Sequence, residues 1–182
     1  MKKYYEFVYA RYLESQIYYA VKIIESLTLE LATYDPERYF LDSQLCLNIV
    51  TNIANVLDSR VKKERSTHLV EYFNINKEKI KLIINRDMRN TNEHYDERMD
   101  DLMEISNIEL GRFDVDNIKK LISVLQVNGK TGYADVDKCV LYSLDRKLNR
   151  IDVDLVKLKN ELLYLIERIH KKIRDVKYGL NS

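Results

Sequence analysis

The stretch Ile80-Lys81-Leu82-Ile83-Ile84-Asn85-Arg86-Asp87-Met88-Arg89-Asn90-Thr91-Asn92-Glu93-His94-Tyr95-Asp96-Glu97-Arg98-Met99-Asp100-Asp101-Leu102 decides how this chain is read. Ile80, Ile84, Met88, Thr91, Tyr95, Met99 and Leu102 step by three or four and form one apolar stripe. That spacing predicts a long helix, opened by Asn74 or Asn76 and extending to about Ile105. The polar run Arg89–His94 crosses the stripe without breaking its phase, so the helix is expected to carry it.

The same periodicity recurs on both sides. A first helix is expected from about Tyr4 to Thr33, with Val8, Leu13, Ile17, Ala20, Ile24 and Leu27 turned inward. Tyr34-Asp35-Pro36 breaks it, and Asp35 and Pro36 suit the start of the next helix. That second helix runs to about Lys63, with Leu45, Ile49, Ile53, Val56 and Leu57 on its buried side. Ser66 is placed to cap a short helix containing Leu69, Val70 and Phe73. The stretch Asn107–Lys138 holds Gly111, Gly129 and Gly132 and is the least helical part. Within it, Leu121–Val127 fits either a strand or a short helix. Val140–Leu144 and Leu148–Val153 flank a polar turn and predict a β-hairpin. A last helix is expected from about Asp154 to Lys177, with Leu155, Leu158, Leu162, Leu165, Ile166 and Ile169 inside.

The expected fold is therefore all-α: a bundle of about four main helices, with a loop and small β-hairpin (about 107–153) inserted before the last. Residues 1–182 are read as a single domain. Composition agrees, because only 4 Gly and 1 Pro interrupt 182 residues of which 46% are hydrophobic and 32% charged. No apolar run reaches the length of a membrane span. Glu6, Arg11 and Glu14 interrupt any leader-like start, so a cytoplasmic protein with no membrane partner is expected. Cys46 and Cys139 have no metal-ligand spacing and read as small buried hydrophobes in a reducing compartment. The 30 basic and 29 acidic residues leave a net charge of +1. With no global field to hold a polyanion, any nucleic-acid role must rest on a local patch or a catalytic site.

There are three histidines. His170 lies near the end of a charged helix, and His68 follows the basic run Lys62–Thr67. Both read first as solvated groups, although the basic run has the chemistry to touch phosphate. His94 differs by its company: Arg89, Asn90, Glu93, Tyr95, Asp96, Glu97 and Arg98. Phosphoryl transfer on RNA uses such a set. A histidine near neutral pKa can take a proton from a ribose 2′-hydroxyl or give one to the leaving oxygen. An arginine can hold the phosphate bidentately and stabilise its growing charge, and asparagine can orient either partner. No metal and no cofactor is needed for this route. On a regular helix Arg89 and His94 lie about 140° apart, towards the two borders of the stripe. A local break, or a second copy of the motif across a two-fold axis, would bring them to one phosphate. Arg89, Glu93 and Glu97 also fit an ordinary i,i+4 salt-bridged surface.

Arg89-Asn90-Thr91-Asn92-Glu93-His94 resembles the Arg-polar-x-x-x-His signature of HEPN domains. These are all-α bundles found in many prokaryotic toxins, abortive-infection proteins and other RNA-cleaving effectors. The run through Asp100 also resembles a subgroup of small HEPN-like proteins. There the signature continues His-aromatic-Asp-Glu-Arg-apolar-Asp, and a hairpin and final helix follow. The order of elements covers most of the chain, while only the twelve-residue run is specific.

The resemblance implies a metal-independent endoribonuclease that leaves a 2′,3′-cyclic phosphate and a 5′-hydroxyl. It implies a homodimer with both motifs lining one composite cleft. Arg89 and His94 would be the catalytic pair and Asn90 the polar residue beside the arginine. Glu93, Tyr95, Glu97 and Arg98 would support them, the last two by fixing the histidine or the dimer partner. RNA is the expected partner, with an antitoxin or regulatory protein as a further one, in phage defence or stress response. Some HEPN toxins paired with a nucleotidyltransferase antitoxin carry a tyrosine two places after the histidine. Here that place is Asp96, with Tyr95 one place early, so modification of that tyrosine is not carried over. Two other readings stand beside this one: a non-catalytic bundle that binds a nucleotide or a protein, and a purely structural scaffold.

Overall fold

A computed structural model describes residues 3–29, 36–88, 126–127, 130–131, 134–135, 140–144 and 150–177. It is an all-α bundle with a small antiparallel hairpin before its last helix. Helix α1 spans Lys3–Leu29, α2 Pro36–Leu57, α3 Lys63–Tyr72 and α4 Leu155–Lys177. No helix among the described residues is long and apolar enough to cross a membrane.

The inner line of α1 is Ala10, Leu13, Ile17, Ala20, Ile24 and Leu27, all fully buried at steps of three and four. It packs against α2 and α4, which together carry most of its tertiary contacts. On α2 the innermost residues are Cys46, Val50, Ile53 and Leu57; on α4 they are Leu155, Leu158, Leu162, Leu165 and Ile169. These side chains form one continuous core with Leu69 of α3 and Phe73 just after it.

Two expected core residues lie outside. Val8 is 50% exposed and Leu45 is 49% exposed. Val8 stands five positions before Leu13, well off the line that α1 turns inward. Leu45 lies one position from Cys46, on the border of the stripe that α2 buries.

Helix α2 ends at Leu57, six residues earlier than its pattern suggested, and the turn to α3 is tied by Ser66. Ser66 does not cap α3, whose N-cap is Lys62 with no side-chain cap bond. It is buried inside the helix. Its hydroxyl accepts from the Ser59 backbone N–H and donates to the Val56 carbonyl, both at 3.0 Å. The one hydroxyl thus serves a backbone donor of the turn and a backbone acceptor at the end of α2.

The largest departure concerns the third long helix, which does not open at Asn74 or Asn76. Asn74 ends α3 in the left-handed region, with φ 51°. Ile75 N–H returns to the Val70 carbonyl at 2.8 Å and Asn74 N–H to that of Glu71 at 3.0 Å, a Schellman ending. Asn76 then opens only a short 3₁₀ turn, Lys77–Ile80, by accepting from Glu78 N–H. A further turn follows, and helix resumes at residues 86–88. Residues 89–125, including the expected continuation to Ile105, lie outside the described residues.

Among the described residues, five short strands precede α4. β1 (Gln126–Val127) pairs with β2 (Lys130–Thr131). β3 (Ala134–Asp135), β4 (Val140–Leu144) and β5 (Arg150–Asp154) form a three-stranded antiparallel sheet. The predicted hairpin is β4–β5. In its register Leu141 faces Val153, and both side chains are fully buried, which seats the hairpin on the core. Asp154, the last residue of β5, accepts from Lys157 N–H at 2.9 Å and so starts α4 without a loop.

Candidate functional site

The candidate catalytic residues Arg89, Asn90 and His94, and the supporting Glu93, Tyr95, Glu97 and Arg98, lie outside the described residues. What is described is the segment that directly precedes that run. Met88, the residue before Arg89, is 1% exposed and belongs to the core. The helical residues 86–88 begin after Asn85, whose Oδ1 accepts from Asp87 N–H at 2.9 Å and Met88 N–H at 3.2 Å. This is the N-cap arrangement, in which a short side chain serves donors that a first helical turn leaves free.

Three residues on one face of α4 hold the segment that leads to this cap. Glu161 is buried, and its carboxylate takes the Leu82 and Ile83 backbone N–H groups at 2.9 and 3.0 Å. The Tyr164 hydroxyl accepts from Asn76 N–H at 2.9 Å. The Arg168 guanidinium donates through Nε to the Asn74 carbonyl at 3.0 Å. From the other side Asp58, just beyond α2, pairs with Lys77 at 2.7 Å and stands 3.7 Å from Arg86. Backbone donors in a turn that neither α3 nor the next helix can satisfy are thus met by side chains.

The other two histidines are engaged with α1, where solvated groups were expected. His68 Nε2 lies 2.9 Å from Glu6 Oε1, and His170 Nε2 lies 2.8 Å from Glu14 Oε1. Glu6 and Glu14 are eight residues apart, so the two pairs join α3 and α4 to one side of α1. Burial on its own raises the Glu6 carboxyl. Hydrogen bonds from its own backbone and from His68, with the His68 charge, outweigh this and hold it below the usual value. Glu14 follows the same pattern: burial raises it, and Arg11 and His170 bring it below its ordinary value. The pairs clamp helices together, and Arg11, 2.6 Å from Glu14, extends the second one.

Sequence reasoning missed Glu6, Glu14, Asp58 and Glu161. Two of them carried a readable signal. Glu6 sits in phase with Ala10, Leu13 and Ile17, and Glu161 with Leu158 and Leu165. A carboxylate on the core side of an apolar stripe must find donors there or pay heavily in desolvation. No signal of that kind marks Glu14 or Asp58, whose partners are distant in sequence.

Cys46 is fully buried, and burial, then the nearby Asp42 charge, push its thiol up to about 12. It is a packing residue with no nucleophilic character. Cys139 lies outside the described residues. No protein-family model, curated protein or solved structure matches this chain.

Proposed function

We propose that this protein is a metal-independent endoribonuclease of the HEPN type, acting as a two-fold dimer. His94 moves the proton of the ribose 2′-hydroxyl or of the leaving oxygen. Arg89 holds the scissile phosphate and its developing charge, and Asn90 orients one of them. The attacking 2′-oxygen closes on phosphorus as the bond to the 5′-oxygen breaks. One fragment keeps a 2′,3′-cyclic phosphate and the other a 5′-hydroxyl.

The reading rests on the twelve-residue run Arg89–Asp100. The structural observation that favours it is the way the segment before that run is held. A buried Met88, a capped helix start at Asn85 and clamps from Glu161 and Asp58 precede Arg89 directly. Catalysis by positioned side chains needs a support of this kind. His68 and His170 pair with carboxylates of α1 and tie helices together, and proton transfer is given to His94 on the ground of its motif.

The test is cleavage of a mixed-sequence single-stranded RNA in EDTA by the wild type and by His94→Ala, with the product ends identified. Cyclic-phosphate ends made by the wild type alone support the proposal. Equal cleavage by both proteins, or none by either at concentrations where the wild type is a dimer, overturns it. A protein that is strictly monomeric by light scattering counts against the shared cleft.

A further inference from the structure

Charge is balanced over the whole chain, but it is not evenly placed. The last turns of α4, residues 167–177, hold Arg168, Lys171, Lys172, Arg174 and Lys177 against Glu167 and Asp175. Beside them, where α3 ends at Asn74, lies a polar cleft of about 230 Å³. Arg168, Lys171 and Lys172 line it from α4, and Tyr72 and Asn74 line it from the α3 end. Glu71 and Asp175 also reach it, so its walls carry one net positive charge.

Two of these cations, and Lys79 nearby, are already held in place. Arg168 is fixed by its bond to the Asn74 carbonyl. The Lys172 ammonium sits 4.8 Å from the Tyr72 ring centre, and the Lys79 ammonium 5.2 Å from that of Tyr164. The Tyr72 ring is itself stacked on His68, with centroids 6.0 Å apart. A lysine resting on an aromatic face keeps its N–H donors and loses less freedom when it meets an anion.

Along the same face of α4, Arg168 and Tyr164 lie four and eight residues before Lys172, over about 12 Å, and Lys79 rests on Tyr164. Glu161, three residues further, is buried against Leu82 and Ile83, so the open line ends at Tyr164.

We infer that this face of α4, from Lys172 to Tyr164, is a binding track for the sugar–phosphate backbone of single-stranded RNA, with Arg168, Lys171 and Lys172 as its phosphate contacts and Lys79 at its far end. The inference rests on the ribonuclease reading for the choice of RNA. Cations spaced along a helix and held by tyrosines suit phosphates that arrive one at a time. One net charge in the cleft is too little for a compact polyanion. The track supplies the local patch that a chain of net charge +1 needs in order to hold nucleic acid.

The experiment measures binding without turnover. Fluorescence anisotropy of a labelled mixed-sequence single-stranded RNA is followed with full-length His94→Ala protein across a salt series. In that background Lys171→Glu/Lys172→Glu is compared with Lys62→Glu/Lys63→Glu. The control makes the same charge change at the other end of α3, about 14 Å from Tyr72. Thermal unfolding confirms that each variant is folded. The α4 variant is expected to bind at least about tenfold more weakly and to lose about one to two phosphate contacts from its salt slope. Equal weakening by both double variants, no weakening by the first, or competition by polyglutamate as strong as by RNA overturns the inference. RNA binding lost with the α4 variant, while the wild type fails to cut, would sink the ribonuclease reading and leave the track standing.

Discussion

The carboxylate of Glu161 on α4 receives the backbone N–H of Leu82, 79 residues earlier in the chain, at 3.1 Å to Oε1 and 2.9 Å to Oε2. Ile83 N–H joins it at 3.0 Å. The carboxylate is buried, so it does the work of a helical hydrogen-bond ladder at the point where helix is interrupted. Replacing it by leucine removes charge-assisted bonds and leaves two buried donors unmet. Glu161→Leu is expected to cost about 3 kcal/mol, read as a lower urea midpoint with an unchanged slope. Glu161→Gln keeps one acceptor oxygen and should lose less. A leucine variant as stable as the wild type would mean that the turn finds other partners.

The Glu6–His68 pair makes stability depend on acid. The folded state holds the Glu6 carboxyl below its ordinary value of 4.5. A depressed carboxyl contributes stability that is complete above the unfolded value and is lost as pH falls through the folded one. Stability should therefore decline as pH drops below about 4.5, with Glu14, also held low, contributing to the same decline. Urea midpoints at pH 6 and pH 4 measure this. Glu6→Gln should be less stable than the wild type at pH 6 and should lose less on going to pH 4. An identical pH slope in the variant would remove Glu6 from the account.

Cys46 offers a probe of the core. Its thiol is fully buried and raised to about 12. In a Cys139→Ser background at pH 8, a thiol reagent should label it more than about a hundredfold slower than an exposed cysteine, because both access and thiolate are lacking. Labelling should become fast in denaturing urea. Fast labelling of the native protein would show that α2 opens locally.

Much of the fold was legible because one physical signal dominates it. In α1, α2 and α4 the apolar residues recur at helical spacing, and the burial of Leu13, Ile17, Ile53, Leu158 and Leu165 follows that period. The hairpin was legible from alternation around a polar turn, and its register places Leu141 against Val153. The segment after α3 was not. Ile80, Ile84 and Met88 keep helical phase, yet the chain there is a 3₁₀ turn, a further turn and a new start. The reason lies far away in sequence, in Glu161, Tyr164 and Arg168, whose side chains satisfy the interrupted backbone. Periodicity cannot report a partner 79 to 94 residues distant. The partners of His68 and His170 were hidden for the same cause. For the site, Arg89–His94 was legible as a pattern of residues, while the contacts of Asn85, Asp58 and Glu161 in the segment before it needed coordinates.

Asn85 joins the fold to the proposed chemistry, and its substitution separates them. Its side chain caps the helical residues 86–88 through two backbone N–H groups. Loss of an N-cap costs about 1 kcal/mol, too little to unfold a bundle whose core spans four helices and a hairpin. If Arg89 and His94 act from the helix that Asn85 starts, a small frayed fraction is not the main effect. The first turn shifts, and a displacement on the order of 1 Å between catalytic groups and phosphate lowers turnover about a hundredfold. Asn85→Ala is therefore expected to lower the unfolding midpoint slightly and RNA cleavage strongly, with Asn85→Asp, which keeps the acceptor, near wild type in both. Cleavage that falls only in proportion to the folded fraction would show that the cap supports stability alone.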